Sequence, residues 1–198
     1  MEIGPEQRPN CSFTFRERAE RAGSSARERH FDWLGRDRDG LMLDIFCNGA
    51  FSWTGVFAFG DTNHNAAYLL PDAWLFVVSR GQGYFVDAAM PSRWKLFPIV
   101  YVKGTLPTGS SGSVVAYTNE GLFVVWSHDR VGERSMDADG FYDVRVIGDH
   151  VTGMAERVSL GGVLEPFSLL LSESDFHSSA WTDDSPVPGA EAVVRYDE

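Results

Sequence analysis

From residue 41 onward the apolar positions fall into short runs separated by breaks rich in Gly, Asn and Asp, a strand-and-turn rhythm. Residues 41–47 and 50–59 flank Asn48-Gly49, a dipeptide suited to type I′ hairpin turns, whose two central positions both need positive φ. Residues 67–70 form a short apolar run ended by Pro71-Asp72. The densest stretch is 74–102: Trp74-Leu75-Phe76-Val77-Val78, a polar link at 79–83, Tyr84-Phe85-Val86-Asp87, a break at 91–94, then the run 96–102. It reads as strand, turn, strand, turn, strand. Two further hairpins follow: 113–117 with 122–127 around Thr118-Asn119-Glu120-Gly121, and 141–147 with 151–157 around Gly148-Asp149-His150. Residues 167–171 are the last apolar run.

The alternation in Leu41-Met42-Leu43-Asp44-Ile45 and Tyr142-Asp143-Val144-Arg145-Val146 predicts antiparallel sheets with one wetted face. Gly83 and Gly121, in similar local sequences, stand 38 residues apart, and Gly49 stands 34 before Gly83. That spacing approaches the roughly 40–45 residues of a propeller blade. Residues 41–171 supply about three such units, fewer than the roughly four a closed ring requires. The expected fold is therefore mainly β, with antiparallel hairpins forming a sandwich, a barrel or a curved sheet.

The N-terminal part has a different texture. Residues 1–12 are polar and broken by proline. Residues 13–34 predict one or two short helices: Arg16 to Ala22 are good helix formers with a Glu17/Arg21 pair at i,i+4, and Ser25-x-x-Glu28 has the spacing of a capping box. Phe31 and Leu34 would share a buried helix face, Trp33 would dock the helix on the sheet, and Gly35 would end it. The implied organisation is an N-terminal arm with helices packed on the body (1–40), a β domain (41–175) and an extended acidic tail (176–198).

At 198 residues with 43% hydrophobic and 23% charged positions, the chain can bury a sizeable core without metal or disulfide support. Aromatic residues reach 13%, which suits strands and large buried areas. The net charge of −11 is unevenly spread. Residues 1–40 hold eight Arg against eight acids, so the whole deficit falls on residues 41–198. An acidic body repels phosphate backbones and anionic leaflets, which argues against nucleic acid and membrane surfaces as partners and favours a basic protein. The start of the chain lacks the apolar segment of a signal peptide, and no apolar run approaches the roughly 20 residues of a membrane helix. Cys11 and Cys47 lack Cys-x-x-Cys spacing, so free thiols in a reducing compartment are expected, and with them a cytoplasmic location.

Several features from Trp74 onward resemble a group of uncharacterised bacterial all-β proteins. They are Val77-Val78-Ser79-x-Gly81-x-Gly83-Tyr84-x-Val86-Asp87, Pro91-x-x-Trp94, Asn119-x-Gly121-Leu122, Asp139-Gly140, and Gly148-Asp149-x-Val151-x-Gly153. The resemblance covers residues 74–171 and implies an all-β architecture. It implies no activity.

Candidate chemistry is sparse. Asp61, Asn63 and Asn65 followed by Asp72 mimic the ligand spacing of a calcium loop, but Ala66 stands where the EF-hand needs Gly, and the flanks read as strands. Asp37-x-Asp39-Gly40 and Asp137-x-Asp139-Gly140 are explained by tight turns. Ser92-x-x-Lys95 sits between strands rather than opening a helix, and no partner motif accompanies it. Gly109-Ser110-Ser111-Gly112 is one residue short of a nucleophile elbow, and Gly81-x-Gly83 leads into a strand, not a phosphate-binding helix. The five histidines show no zinc-ligand spacing. No cofactor, metal site or catalytic set is expected.

The residues singled out for a partner or ligand are Asp61, His64, His128, Asp129 and Trp181. His128-Asp129 is the most suggestive neighbour pair, and Trp181 is a large aromatic in an acidic tail. The functional expectation is a cytoplasmic, non-catalytic interaction domain presenting an acidic surface, with an immunity-like or inhibitor-like role against a basic protein as its concrete form. The alternative is an enzyme or small-ligand binder whose pocket gathers His64, His128 and Asp129 from separate loops.

Overall fold

The computed structural model describes residues 9–16, 27–32, 39–109, 112–172 and 176–179, and among them strands dominate and no α-helix occurs. The first sheet contains β1 (Cys11–Phe15), β2 (Glu28–Phe31), β3 (Gly40–Cys47) and β4 (Ala50–Ala58) in the order β1-β3-β4-β2. Only β2 runs parallel to its neighbour, β4. The second sheet is a meander of β5 (Ala66–Leu69), β6 (Trp74–Ser79), β7 (Gln82–Asp87) and β8 (Trp94–Leu96). The third holds β9 (Gly104–Pro107), β10 (Val114–Tyr117), β11 (Gly121–Ser127) and β12 (Arg130–Ser135), and the fourth β13 (Gly140–Ile147), β14 (His150–Arg157) and β15 (Val163–Leu170). The last strand, β16 (His177–Ser179), returns to the edge of the third sheet against β12.

The hairpins close where turn chemistry allows. Asn48 and Gly49 both take positive φ, as do Arg80 and Gly81 between β6 and β7, which is the backbone a two-residue I′ turn demands.

Three buried clusters show how the sheets are arranged. Leu43, Ile45, Trp53 and Phe57 of the first sheet pack on Leu75, Val77, Tyr84 and Val86 of the second. Alternate residues of those same second-sheet strands, Phe76, Val78 and Phe85, pack on Val114, Phe123 and Val125 of the third. Val115, Leu122 and Val124 then pack on Phe141, Val151 and Ala155 of the fourth. The four sheets thus stack face to face in chain order, and the middle two are covered on both sides. That explains why Trp74–Ser79 and Gln82–Asp87 are buried at every position. Polar links reinforce the first layer: Trp53 Nε1 donates to the Ala88 carbonyl at 2.8 Å, Tyr84 OH to Ala58 at 2.9 Å, and Ser79 Oγ to Phe57 at 2.7 Å.

Two expectations need correction. Where the region expected to be helical is described, it holds strands and no helix: Phe13 lies in β1 and Arg29 to Phe31 in β2. In Cys11-Ser12-Phe13-Thr14-Phe15 the period is two, and Phe31 is buried against Phe57 (4.7 Å, stacked), Trp94 and Trp53, contacts a sheet supplies. The rest of that region, with Trp33, Leu34 and Gly35, lies outside the described residues. The hairpin echo also counts one unit too few. Gly49, Gly83 and Gly121 mark the first three sheets, and the Gly148-Asp149 hairpin belongs to a fourth.

Candidate functional site

One end of the layer between the second and third sheets brings together a buried carboxylate, Asp87, and the stacked rings of Trp74 and His128. Pro71 opens a short 3₁₀ turn in which Asp72 and Ala73 hold positive φ, and this delivers Trp74 as the first residue of β6. Trp74 is opposite Asp87, the last residue of β7. The Asp87 carboxylate is buried and organises the loop that follows: Oδ1 accepts from the Ala89 and Met90 amides at 2.9 and 3.1 Å, and Oδ2 from Arg93 Nη1 at 3.1 Å. Arg93 in turn sits 5.5 Å from the centroid of the Trp74 ring.

The third sheet contributes His128 from the β11–β12 turn. A register shift after Val125 aims this turn back across the interface. The imidazole lies flat on the Trp74 indole, centroids 3.8 Å apart and planes 2° from parallel. Burial lowers the His128 pKa, with Lys95 and Arg93 acting the same way and Asp129 and Asp72 opposing them. The ring is therefore neutral near pH 7, so the contact is aromatic stacking between uncharged rings. Trp74 is only 4% exposed and its Nε1 has no hydrogen-bond partner, nor does His128 Nδ1.

This cluster does not make a hydrolytic relay. Ser127 Oγ donates to Asp129 Oδ1 at 2.6 Å rather than to the imidazole, and that bond is the main cause of a lowered Asp129 pKa. His128 Nδ1 is 3.9 Å from Asp129 Oδ1, too far for the bond that orients a catalytic histidine. What the arrangement does is clamp two sheets through an aromatic pair.

His64 belongs to a separate cluster. Its Nε2 meets Thr105 Oγ1 at 2.8 Å, and Tyr68 OH meets the same hydroxyl at 2.9 Å, tying β5 and its loop to β9. Gly81 N donates to the His64 carbonyl, which places His64 beside the β6–β7 turn, whereas Trp74 and His128 are at the other end of β6. Six residues of strand span about 20 Å. His64 and His128 therefore do not share a pocket. Asp61 is exposed in the loop before His64, and Trp181 lies outside the described residues. Among the described residues no group of three or more His, Cys, Asp or Glu is placed to hold a metal ion.

Sequence reasoning singled out none of the outer surface of the fourth sheet. There, Ile147, His150 and Leu170 align in one row across the sheet, and Tyr142, Met154 and Pro166 in another. Tyr142 is 49% exposed, Ile147 63% and Leu164 50%. Carboxylates outnumber cations on and beside this face: Asp137, Asp139, Asp143 and Asp149 are exposed and Glu156 accepts from Tyr142 OH at 2.7 Å, against the exposed Arg145, which is in register with Thr152 on the same face. Arg157 is committed to Glu165 at 2.6 Å and Asp137 at 3.8 Å. Alternation assigns Ile147 to the wet side with Asp143 and Arg145, but it groups Tyr142 with Val144 and Val146; the register shift between Tyr142 and Arg145 is what turns Tyr142 outward, and no local pattern announces it.

The class these features define is a mainly β protein of successive antiparallel sheets stacked face to face, without a catalytic constellation among its described residues. No family model and no curated protein matches the chain. Among solved structures it is similar to the crystal structure of BamB from Moraxella catarrhalis, at 12% identity and a TM-score of 0.27, over 69% of this chain and 57% of that one. The chain thus spans little more than half the length of that protein, and at such a TM-score too little backbone superposes for either to inform the other.

Proposed function

We propose that this protein is a non-catalytic interaction module whose outer β13–β15 face receives a basic polypeptide. The carrying observation is the coincidence, on one sheet face, of exposed Tyr142, Ile147 and Leu164 with neighbouring carboxylates that outnumber the exposed arginine there, Arg145. Exposed apolar patches with polar rims are where protein partners dock, and aromatic residues supply much of the energy there. The net charge of −11 selects the sign of the partner. An immunity-like or inhibitor-like role, neutralising a cationic protein in the cytoplasm, is the concrete form of this reading.

The test is capture on the immobilised chain followed by measured association rates. A basic partner should bind with an on-rate that falls steeply as salt rises, and the variant Ile147→Lys should lose it. A partner that binds with salt-independent rates, or equally well to Ile147→Lys, defeats this reading.

A further inference from the structure

Cys11 and Cys47 are far apart in sequence but directly opposite in space. They are register partners at the end of the β1–β3 ladder, and both side chains join the layer between the first and second sheets. The ladder fixes which kind of pair they form. Asn48 N donates to the Asn10 carbonyl at 2.7 Å, and at the other end Arg16 N donates to Met42 at 3.1 Å. Hydrogen-bonded partners alternate with non-bonded ones, so the pairs 10/48, 12/46, 14/44 and 16/42 carry the bonds. Cys11 and Cys47 therefore occupy a non-hydrogen-bonded site, where opposed Cα atoms stand about 4.5 Å apart and side chains come closest. A disulfide spans Cα separations of roughly 4.4–6.8 Å, so the site falls at the short end of that window.

We propose that Cys11 and Cys47 form a reversible cross-strand disulfide, a redox-modification site that staples the edge strand β1 to β3. The two thiols have distinct roles. Cys47 is half-buried, so a small disulfide can reach it, whereas Cys11 is 4% exposed and waits behind. The Cys47 thiolate attacks one sulfur of a low-molecular-weight disulfide, forming a mixed disulfide and expelling one thiolate. Cys11 then gives up its proton and attacks Cys47 Sγ, expelling the second. Two protein thiols are oxidised, one small disulfide is reduced to two thiols, and the released thiolates take up the two protons.

Burial, a hydrogen bond to the Cys47 thiol, the charge of its thiolate and the charge of Asp87 hold the reduced Cys11 up to about 12. The mixed disulfide abolishes the Cys47 charge and removes its S–H, and so relieves two of those four causes when Cys11 has to act. The adjoining Ala88 carbonyl, which accepts from Cys47 Sγ at 3.5 Å and from Trp53 Nε1 at 2.8 Å, keeps its indole donor when the thiol proton leaves. Closure therefore orphans no buried donor. The half-buried Cys47 sulfur stays open to attack by small thiols, which suits a switch more than a permanent brace.

The experiment incubates the intact native chain with glutathione disulfide, quenches with acid and maps the peptides by mass spectrometry. The expected major product is monomeric, lighter by two hydrogen atoms, with the Cys11 and Cys47 peptides joined, and it reverts on adding excess reduced glutathione. Cys11→Ala should halt at a glutathione adduct on Cys47, and Cys47→Ala should leave Cys11 unmodified. If the native wild-type chain keeps both thiols, stops at the adduct or dimerises through them, the inference fails. Since wild-type mapping decides the matter alone, misfolding of either variant does not rescue it.

Discussion

Trp74 and His128 come from different sheets and lie ring on ring at 3.8 Å, which makes a titratable group part of the seam between the second and third sheets. Burial lowers the pKa of His128 and, separately, that of His64. A histidine whose folded value lies below its unfolded one, about 6.5, binds more protons unfolded. Its contribution to stability is complete above the unfolded value and is lost as pH falls from there through the lower folded value. The urea midpoint should therefore hold from about pH 8 to about pH 7 and drop from there towards about pH 5. His128→Phe, which keeps a flat ring on the indole, should flatten part of that slope, and His64→Gln another part. An unchanged slope in both variants would show that carboxylates alone set the acid limb.

Gly83 tests the packing of the layer. A Cβ there would meet Phe97 Cβ at 2.5 Å, and the Phe97 amide is fastened to the Gly83 carbonyl at 2.9 Å. No side-chain rotation relieves a clash with a Cβ. Phe97 is itself held by Phe76, Phe85 and Phe123. Gly83→Ala should cost about 1–3 kcal/mol by chemical denaturation. Gly109→Ala, with nothing within 4 Å of the added carbon, should stay within about 0.5 kcal/mol of wild type.

The Asp87 carboxylate separates hydrogen bonding from charge. Asp87→Ala removes the charged acceptor shared by the Ala89 and Met90 amides, of which the Met90 amide keeps the Asp87 carbonyl at 3.2 Å, and should cost about 1–3 kcal/mol. Asp87→Asn keeps an oxygen for those amides and should cost less. Arg93, the ionic partner, is half exposed, so Arg93→Gln should cost under about 1 kcal/mol. Equal losses for Asp87→Asn and Asp87→Ala would mean that charge, not the amide bonds, holds the loop.

The sequence carried more of this fold than the hairpins alone. Trp74 to Val78 is apolar at every position, the mark of a strand buried on both faces, whereas Tyr142-Asp143-Val144-Arg145-Val146 alternates, the mark of one wet face. Those two textures distinguish the interior of the stack from its end. Lost from view were contacts made at a distance. Arg-rich segments around Phe31 favour helix locally, and only the parallel partner β4 turns Glu28–Phe31 into strand. Cys11 and Cys47 meet only once β1 is known to be a strand. His128 stood out for its neighbour Asp129, yet what holds it is Trp74, which no spacing rule connects to it.

The outer face of the fourth sheet yields the sharpest separation of binding from folding. Ile147 projects from the end of β13 and is largely exposed, while its neighbour Val146 faces the third sheet. Ile147→Lys removes apolar surface and inserts positive charge among Asp143, Asp149 and their neighbours, so it opposes a cationic partner twice over. It takes nothing from the buried layer and should leave the denaturation midpoint unchanged. Val146→Lys, one residue away, forces an ammonium group towards Val151 and Leu169 on the covered side and should unfold the sheet. Measured side by side, Ile147→Lys should lose the partner at full stability and Val146→Lys should lose both. A partner that tolerates Ile147→Lys must dock on another surface.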